Sequence, residues 1–178
     1  MAADTLTLGL DFGTSAVKAI VMNADGTVCS AASAAYETKR PAADHAEQDP
    51  EAWWQALRAV CRAVMADIDG ATIGAIGLSG QLNGIVLIGA DGKVLRPSLI
   101  WLDQRCTEQV RALEDEHSAR LAAATSSPIS PIAVLPKLQW LAVHEPKTMQ
   151  RVARVLQVKD YILWQLTGTI ATDANEAS

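Results

Sequence analysis

Residues 5–11 alternate, with Leu6, Leu8 and Leu10 on one side and Thr5, Thr7, Gly9 and Asp11 on the other, which is the period of a strand with one buried face. Asp11 therefore closes that strand on its polar side. Beyond Gly13, Thr14 and Ser15, residues 16–23 predict a second strand, Asn23 to Gly26 a hairpin turn, and residues 28–36 a third strand returning beside it. Residues 39–49, rich in Pro, Ala, Asp and Glu, predict a loop that ends at Asp49-Pro50, an N-cap followed by proline in the first helical turn. Trp53, Leu57, Val60, Cys61, Val64, Met65 and Ile68 then recur at three- and four-residue spacings as an inward helical stripe, stopped by Asp69-Gly70. Trp53 and the cysteine on that stripe belong to packing.

Residues 72–79 predict a buried strand parallel to the first, because a helix precedes it. Gly80 to Gly84 breaks the pattern at its end, the edge of an open α/β sheet where ligands bind. A second hairpin follows over 85–88 and 94–95 around a turn at 90–92, and then a strand over 98–102. Residues 107–124 predict a helix with Val110, Leu113 and Leu121 inward and the acidic run 114–116 solvated. The three prolines between 126 and 136 predict an irregular connection. Helices over 136–144 and 146–153, a short strand over 155–158 and a helix over 161–166 follow, with Lys159 and Asp160 structural at its start, Gly168 capping it, and 169–172 extended. The class is α/β: a mixed sheet with flanking helices.

Composition narrows the function classes. At 178 residues the chain is about one domain long, and 49% hydrophobic with 20% charged residues excludes a disordered or fibrous chain. A net charge of -5 and a pI near 5.1 argue against a nucleic-acid partner, which needs a basic face. Cys29, Cys61 and Cys106, odd in number and unrelated in spacing, fit reduced thiols rather than a disulfide frame or zinc site. The first residues carry neither a basic region nor a long apolar run, and no run has spanning length, so a cytoplasmic chain without a membrane partner is expected.

The candidate chemistry begins at Asp11. An acid followed by Gly13, Thr14 and Ser15 between paired strands suits a phosphate with its magnesium: amides and hydroxyls hold phosphate oxygens, and the carboxylate holds Mg²⁺ directly or through water. Gly13 permits a tight turn with close backbone approach. The same residues also describe an ordinary polar hairpin, and the spacing is neither the Walker pattern nor the dinucleotide fingerprint.

Longer segments add a resemblance. Leu8 to Lys18, His45 to Pro50 with Trp53-Trp54, Gly77 to Gln81, Asp91 to Pro97, Ile100 to Arg105, Pro136 to Trp140, His144 to Pro146 and Lys159 to Tyr161 together resemble the FGGY carbohydrate kinases of the bacterial xylulose kinase type, relatives of actin, hexokinase and the Hsp70 ATPase domain. The resemblance covers essentially the whole chain. It implies a ribonuclease H-like, actin-like ATPase domain that transfers the γ-phosphoryl group of MgATP to a primary hydroxyl of D-xylulose or a close ketose. Its partners are then a sugar and ATP, with Mg²⁺ as cofactor, and a homodimer stays open.

Residue by residue, the resemblance places Asp11 at Mg²⁺, Gly13, Thr14 and Ser15 at phosphate with Lys18 in a minor role, and Gln81, Leu82, Asn83, Trp101, Asp103 and Arg105 at the sugar. Hydrogen-bonding groups plus an aromatic face are what a sugar requires. Each has a plain alternative: Trp101 in a core, Asp103 and Gln104 capping the helix near Thr107, and Arg105 paired with surface acids. The family's catalytic base, second phosphate loop and adenosine pocket are expected beyond Ser178, so residues 1–178 would make up most of the N-terminal domain, an inactive fragment alone with no catalytic residue of its own. Leu82-Asn83 stands where these kinases usually read Met-His, which opens the choice of ketose or polyol. The Gln-Arg-Glu pattern of glycerol kinases is absent. The rival class is a non-catalytic actin-like sugar-sensing or assembly module.

Overall fold

The computed structural model describes residues 5–124 and 128–174. They form two compact units, one of residues up to 37 together with 51–81, the other of 38–50 and the residues from 82 onward.

The first unit is built on the alternation that opens the chain. Strand β1 (Leu6–Phe12) pairs antiparallel with β2 (Ala16–Met22), which pairs antiparallel with β3 (Val28–Ala35). Leu8, Leu10 and Phe12 lie opposite Val21, Ala19 and Val17, and all six are buried. Helix α1 (Pro50–Val64) starts at the expected proline and buries Trp53, Ala56, Leu57, Val60 and Val64. It ends earlier than the apolar stripe suggested. Met65 and Ile68 lie beyond it, and Asp69 caps a short 3₁₀ turn (Gly70–Thr72) by accepting from the Ala71 N–H at 3.0 Å.

After that turn, another strand runs parallel to β1, as the intervening helix requires. Before it in chain order stands a two-residue strand, β4 (Glu47–Gln48), inside the segment expected to be loop. The parallel strand is β5 (Ile73–Gly80), and the sheet order is β3-β2-β1-β5. The expectation that it is buried does not hold: among the described residues it is an outer strand paired with β1 alone, and Ile76 is 54% exposed.

The second unit owes its core to the hairpin after Gly84. Strand β6 (Val86–Gly89) turns at Gly92, where φ is 77°, and a bridge joins Ile88 to Val94. Strand β7 (Ser98–Leu99) is shorter than expected because residues 101–102 already turn; it pairs antiparallel with β4. This pairing explains β4: its backbone groups are satisfied by a partner some fifty positions away, out of reach of any local pattern.

Helix α2 (Thr107–Ala124) has the expected bounds and buries Val110 and Leu113; the side chain of Leu121 lies outside the described residues. Residues 128–133 are irregular, and Ser126 is outside the description. Helix α3 (Val134–His144) starts two residues before the expected Pro136. Helix α4 (Pro146–Met149) stops short of Ala153, since β8 (Val152–Leu156) pairs antiparallel with β6. Helix α5 (Val158–Thr167) ends on Gly168 in the left-handed conformation, as its position predicted. Ile85, Leu87, Leu99 and Leu141 form the core, with Val134, Leu138 and Trp140 against it.

Candidate functional site

In the first unit the site is one end of β1. Strand register places Ser79, Asp11, Lys18 and Ser33 in a single row across β5, β1, β2 and β3, on the face opposite the leucines, and all four are exposed. Asp11 and Lys18 thus share a face as neighbours. Gln81 follows β5, and its N–H donates to the Phe12 carbonyl at 2.8 Å, carrying the ladder to the edge of the Gly13–Ser15 turn.

Tyr36 braces that turn from the end of β3. Its N–H donates to the Ser15 carbonyl at 3.1 Å and its hydroxyl to the Gly13 carbonyl. Burial, with the Asp11 charge adding to it, raises the phenol well above its usual range, so it stays a donor. Gly13 sits in that turn with a φ outside the left-handed region, and beyond its chain neighbours a Cβ there would meet the Ala16 carbonyl at 3.4 Å.

The donor set suits the magnesium of MgATP. Among the described residues no three His, Cys, Asp or Glu side chains cluster as a metal cage, whereas Asp11 offers one exposed carboxylate. Mg²⁺ typically takes one or two protein carboxylates and fills its octahedron with water and substrate phosphate.

In the second unit the candidate sugar residues divide. Leu82 (46%) and Trp101 (38%) are exposed, so Trp101 is not a core tryptophan. Asn83 is partly buried with φ 58°. Asp103 is fully buried: one carboxylate oxygen accepts from the Ala46 N–H at 2.7 Å and from Arg105 Nη2 at 2.7 Å, the other from Arg105 Nε at 2.8 Å. It does not cap α2. The Thr107 hydroxyl instead donates to the Gln104 carbonyl at 2.8 Å, and Asp103 is spent on a bidentate pair.

Arg105 likewise does not meet surface acids. Its Nη2 also reaches Glu47 at 2.7 Å, the same carboxylate oxygen that receives Arg96 Nη2, and Arg96 Nη1 reaches Glu145 at 2.9 Å. Arg105 lies 4.9 Å from the centroid of Trp140, which His144 stacks at 4.3 Å and His45 meets edge-on at 6.2 Å. Three acids and two arginines thus tie residues 45–48 and 96–105 together and fix the turn that carries Trp101. Glu47 has no signal in the apolar pattern, since its strand is two residues long.

Lys137 did carry a signal. Val134, Lys137, Leu138 and Leu141 fall at helical spacings of three and four, which puts a lysine on an apolar stripe. It is fully buried, donating to the Asn83 carbonyl at 3.0 Å and to the Ile132 carbonyl. Burial drives its ammonium down to about 8 from 10.5, partly offset by Cys106 and Asp103. Between those two values the unfolded chain binds more protons than the folded one, so the Lys137 contribution to stability rises with pH across that window. Wild type should therefore gain thermal midpoint relative to Lys137→Met between pH 8 and pH 10, read by circular dichroism; a wild-type midpoint that falls relative to the variant over that range contradicts the assignment.

No described helix is long and apolar enough to cross a membrane. The family model for the N-terminal domain of the FGGY family of carbohydrate kinases matches residues 6–178. The xylulose kinase of Escherichia coli K12 is 35% identical over 171 residues, 96% of this chain and 35% of that protein. Among solved structures, a xylulose kinase from Rhodospirillum rubrum superposes with TM-score 0.91 at 34% identity, over 97% of this chain and 36% of that one. A gluconate kinase from Lactobacillus acidophilus does so with TM-score 0.91 at 26% identity, over 98% and 35%. The chain thus spans about 35% of the length of these relatives. Its fold is the ribonuclease H-like, actin-like α/β fold of those kinases, and the match over residues 6–178 means that the chain belongs to the FGGY family of carbohydrate kinases.

Proposed function

We propose that the enzyme containing this chain transfers the γ-phosphoryl group of MgATP to a primary hydroxyl of D-xylulose or a close ketose. The observation that supports it most is the exposed Asp11 at the end of β1, beside Lys18 and the braced Gly13–Ser15 turn. Asp11 would hold Mg²⁺, whose chemistry is to neutralise the charge that builds on the phosphate oxygens. The turn amides with the Thr14 and Ser15 hydroxyls would hold phosphate oxygens, and Lys18 adds positive potential from the next strand.

Gln81 and Asn83 would hydrogen-bond sugar hydroxyls, while Leu82 and Trp101 supply apolar and aromatic surface. Asp103 and Arg105 would act on the sugar through the turn they fix, because both Asp103 oxygens and the Nε and Nη2 of Arg105 already serve each other, Ala46 and Glu47. Neither Asp11 nor Asp103 is assigned as the base that takes the hydroxyl proton.

A second reading is favoured by Asn83 itself. A carboxamide where related kinases usually carry an imidazole is shorter and stays neutral, which suits another ketose, a polyol or a sugar acid. The likeness to a gluconate kinase is as close in fold as that to a xylulose kinase. Coupled measurement of ADP formation by the full-length gene product, with MgATP and a panel of D-xylulose, D-ribulose, L-xylulose, glycerol and gluconate, tests the proposal. Ketose-dependent turnover is expected; ADP release unaffected by any of the five contradicts it.

A further inference from the structure

Among the described residues, Asn83 is the one non-glycine with positive φ, at 58°. Asparagine tolerates the left-handed region better than most residues but still enters it at a cost. Here the conformation is held from both sides. The Asn83 N–H donates to Gln157 Oε1 at 2.8 Å, and the Asn83 carbonyl accepts from Lys137 Nζ at 3.0 Å. The next residue seals the arrangement: a Cβ on Gly84 would lie 2.6 Å from Val158 Cγ2, so only glycine lets the chain pass this close to the start of α5.

The placement of Lys137 needs a reason. An apolar residue would fill its position on the α3 stripe without taking an ammonium out of water. Among the described residues its ammonium donates to two main-chain carbonyls, those of Asn83 and Ile132. A buried charge spent on two carbonyls is accounted for if the positions of those carbonyls matter.

Resting on the reading that residues 81–83 bind sugar, we infer that Lys137 and Gln157 are positioning residues: they clamp the Asn83 peptide in its left-handed conformation and so aim the Asn83 carboxamide at the substrate hydroxyls. Ketose selection then depends on α3 and the start of α5 as well as on the side chain at position 83. Neither clamp residue need touch the sugar.

The test is a double-mutant cycle on the full-length enzyme at pH 7, with KM for D-xylulose, KM for MgATP and kcat measured separately. Asn83→Gly removes the carboxamide and the conformational cost together. Lys137→Met and Gln157→Ala each remove one arm of the clamp; the second keeps the test alive if the first fails to fold, since Gln157 is only partly buried. Each single variant should raise ketose KM by at least about tenfold, with KM for MgATP little changed. On the Asn83→Gly background, either clamp substitution should add less than about twofold, because there is no carboxamide left to aim.

Clamp variants that leave ketose KM unchanged while Asn83→Gly raises it overturn the inference, as do effects that multiply in full on both backgrounds. If Asn83→Gly itself leaves ketose KM unchanged, the assignment of this loop to sugar fails, and the inference with it.

Discussion

Asp103→Ala is expected to lower the thermal unfolding midpoint by roughly 10 °C. Asp103 has no exposed surface, and both its oxygens are engaged by Arg105 and the Ala46 N–H. Truncating it leaves a guanidinium buried with Glu47 as its remaining carboxylate partner among the described residues, a carboxylate that Arg96 already shares. Breaking one partner of a buried pair typically costs about 3 to 5 kcal/mol. At about 2 to 4 °C per kcal/mol for a chain of this size, that gives the expected shift. A companion variant separates charge from packing: Asp103→Leu with Arg105→Met should recover much of the loss, because both charges go together. An Asp103→Ala midpoint within about 2 °C of wild type contradicts the network described here.

The second large effect falls on catalysis. Asp11→Asn keeps the size and the strand position but removes the charge that would hold Mg²⁺. In the full-length enzyme it should reduce kcat by roughly a hundredfold or more and raise the Mg²⁺ requirement, leaving KM for the ketose near its wild-type value. Asp11 is exposed and sits on the face opposite the buried leucines, so the fold should tolerate the change. The split between kcat and sugar KM matters, because a general loss of structure would move both. A kcat within about threefold of wild type would remove Asp11 from the metal site.

How much of this was legible in the chain differs from element to element. The alternation of Leu6, Leu8 and Leu10 against Thr7, Gly9 and Asp11 located β1, its buried face and the exposed acid, because a strand's period of two is a local property. The parallel strand β5 followed from the helix before it, but its exposure did not, since burial depends on what lies beside a strand in space. Strand β4 was invisible: two residues have no period, and Glu47 and Gln48 pair with Leu99 and Ser98.

The candidate site shows the same division. The Asp11–Ser15 stretch drew notice by its residue types, but those fit an ordinary polar hairpin as well, and the resemblance of longer segments is what favoured a phosphate there. The roles of Asp103 and Arg105 could not, because the residues that engage them, Ala46, Glu47 and Trp140, come from two distant segments. Lys137 was passed over in the sequence, although it falls on an apolar stripe at helical spacing, and only the structure revealed that the peptide of Asn83 is one of its partners.

The most direct test of phosphoryl transfer to a sugar is the phosphorus NMR spectrum of the products formed by the full-length enzyme from D-xylulose and MgATP. A new phosphomonoester signal, coupled to the two protons of a primary carbon and growing in step with ADP, is the predicted result. ADP accompanied by inorganic phosphate alone, with no sugar phosphate from D-xylulose or from the other sugars of the panel, would contradict the account.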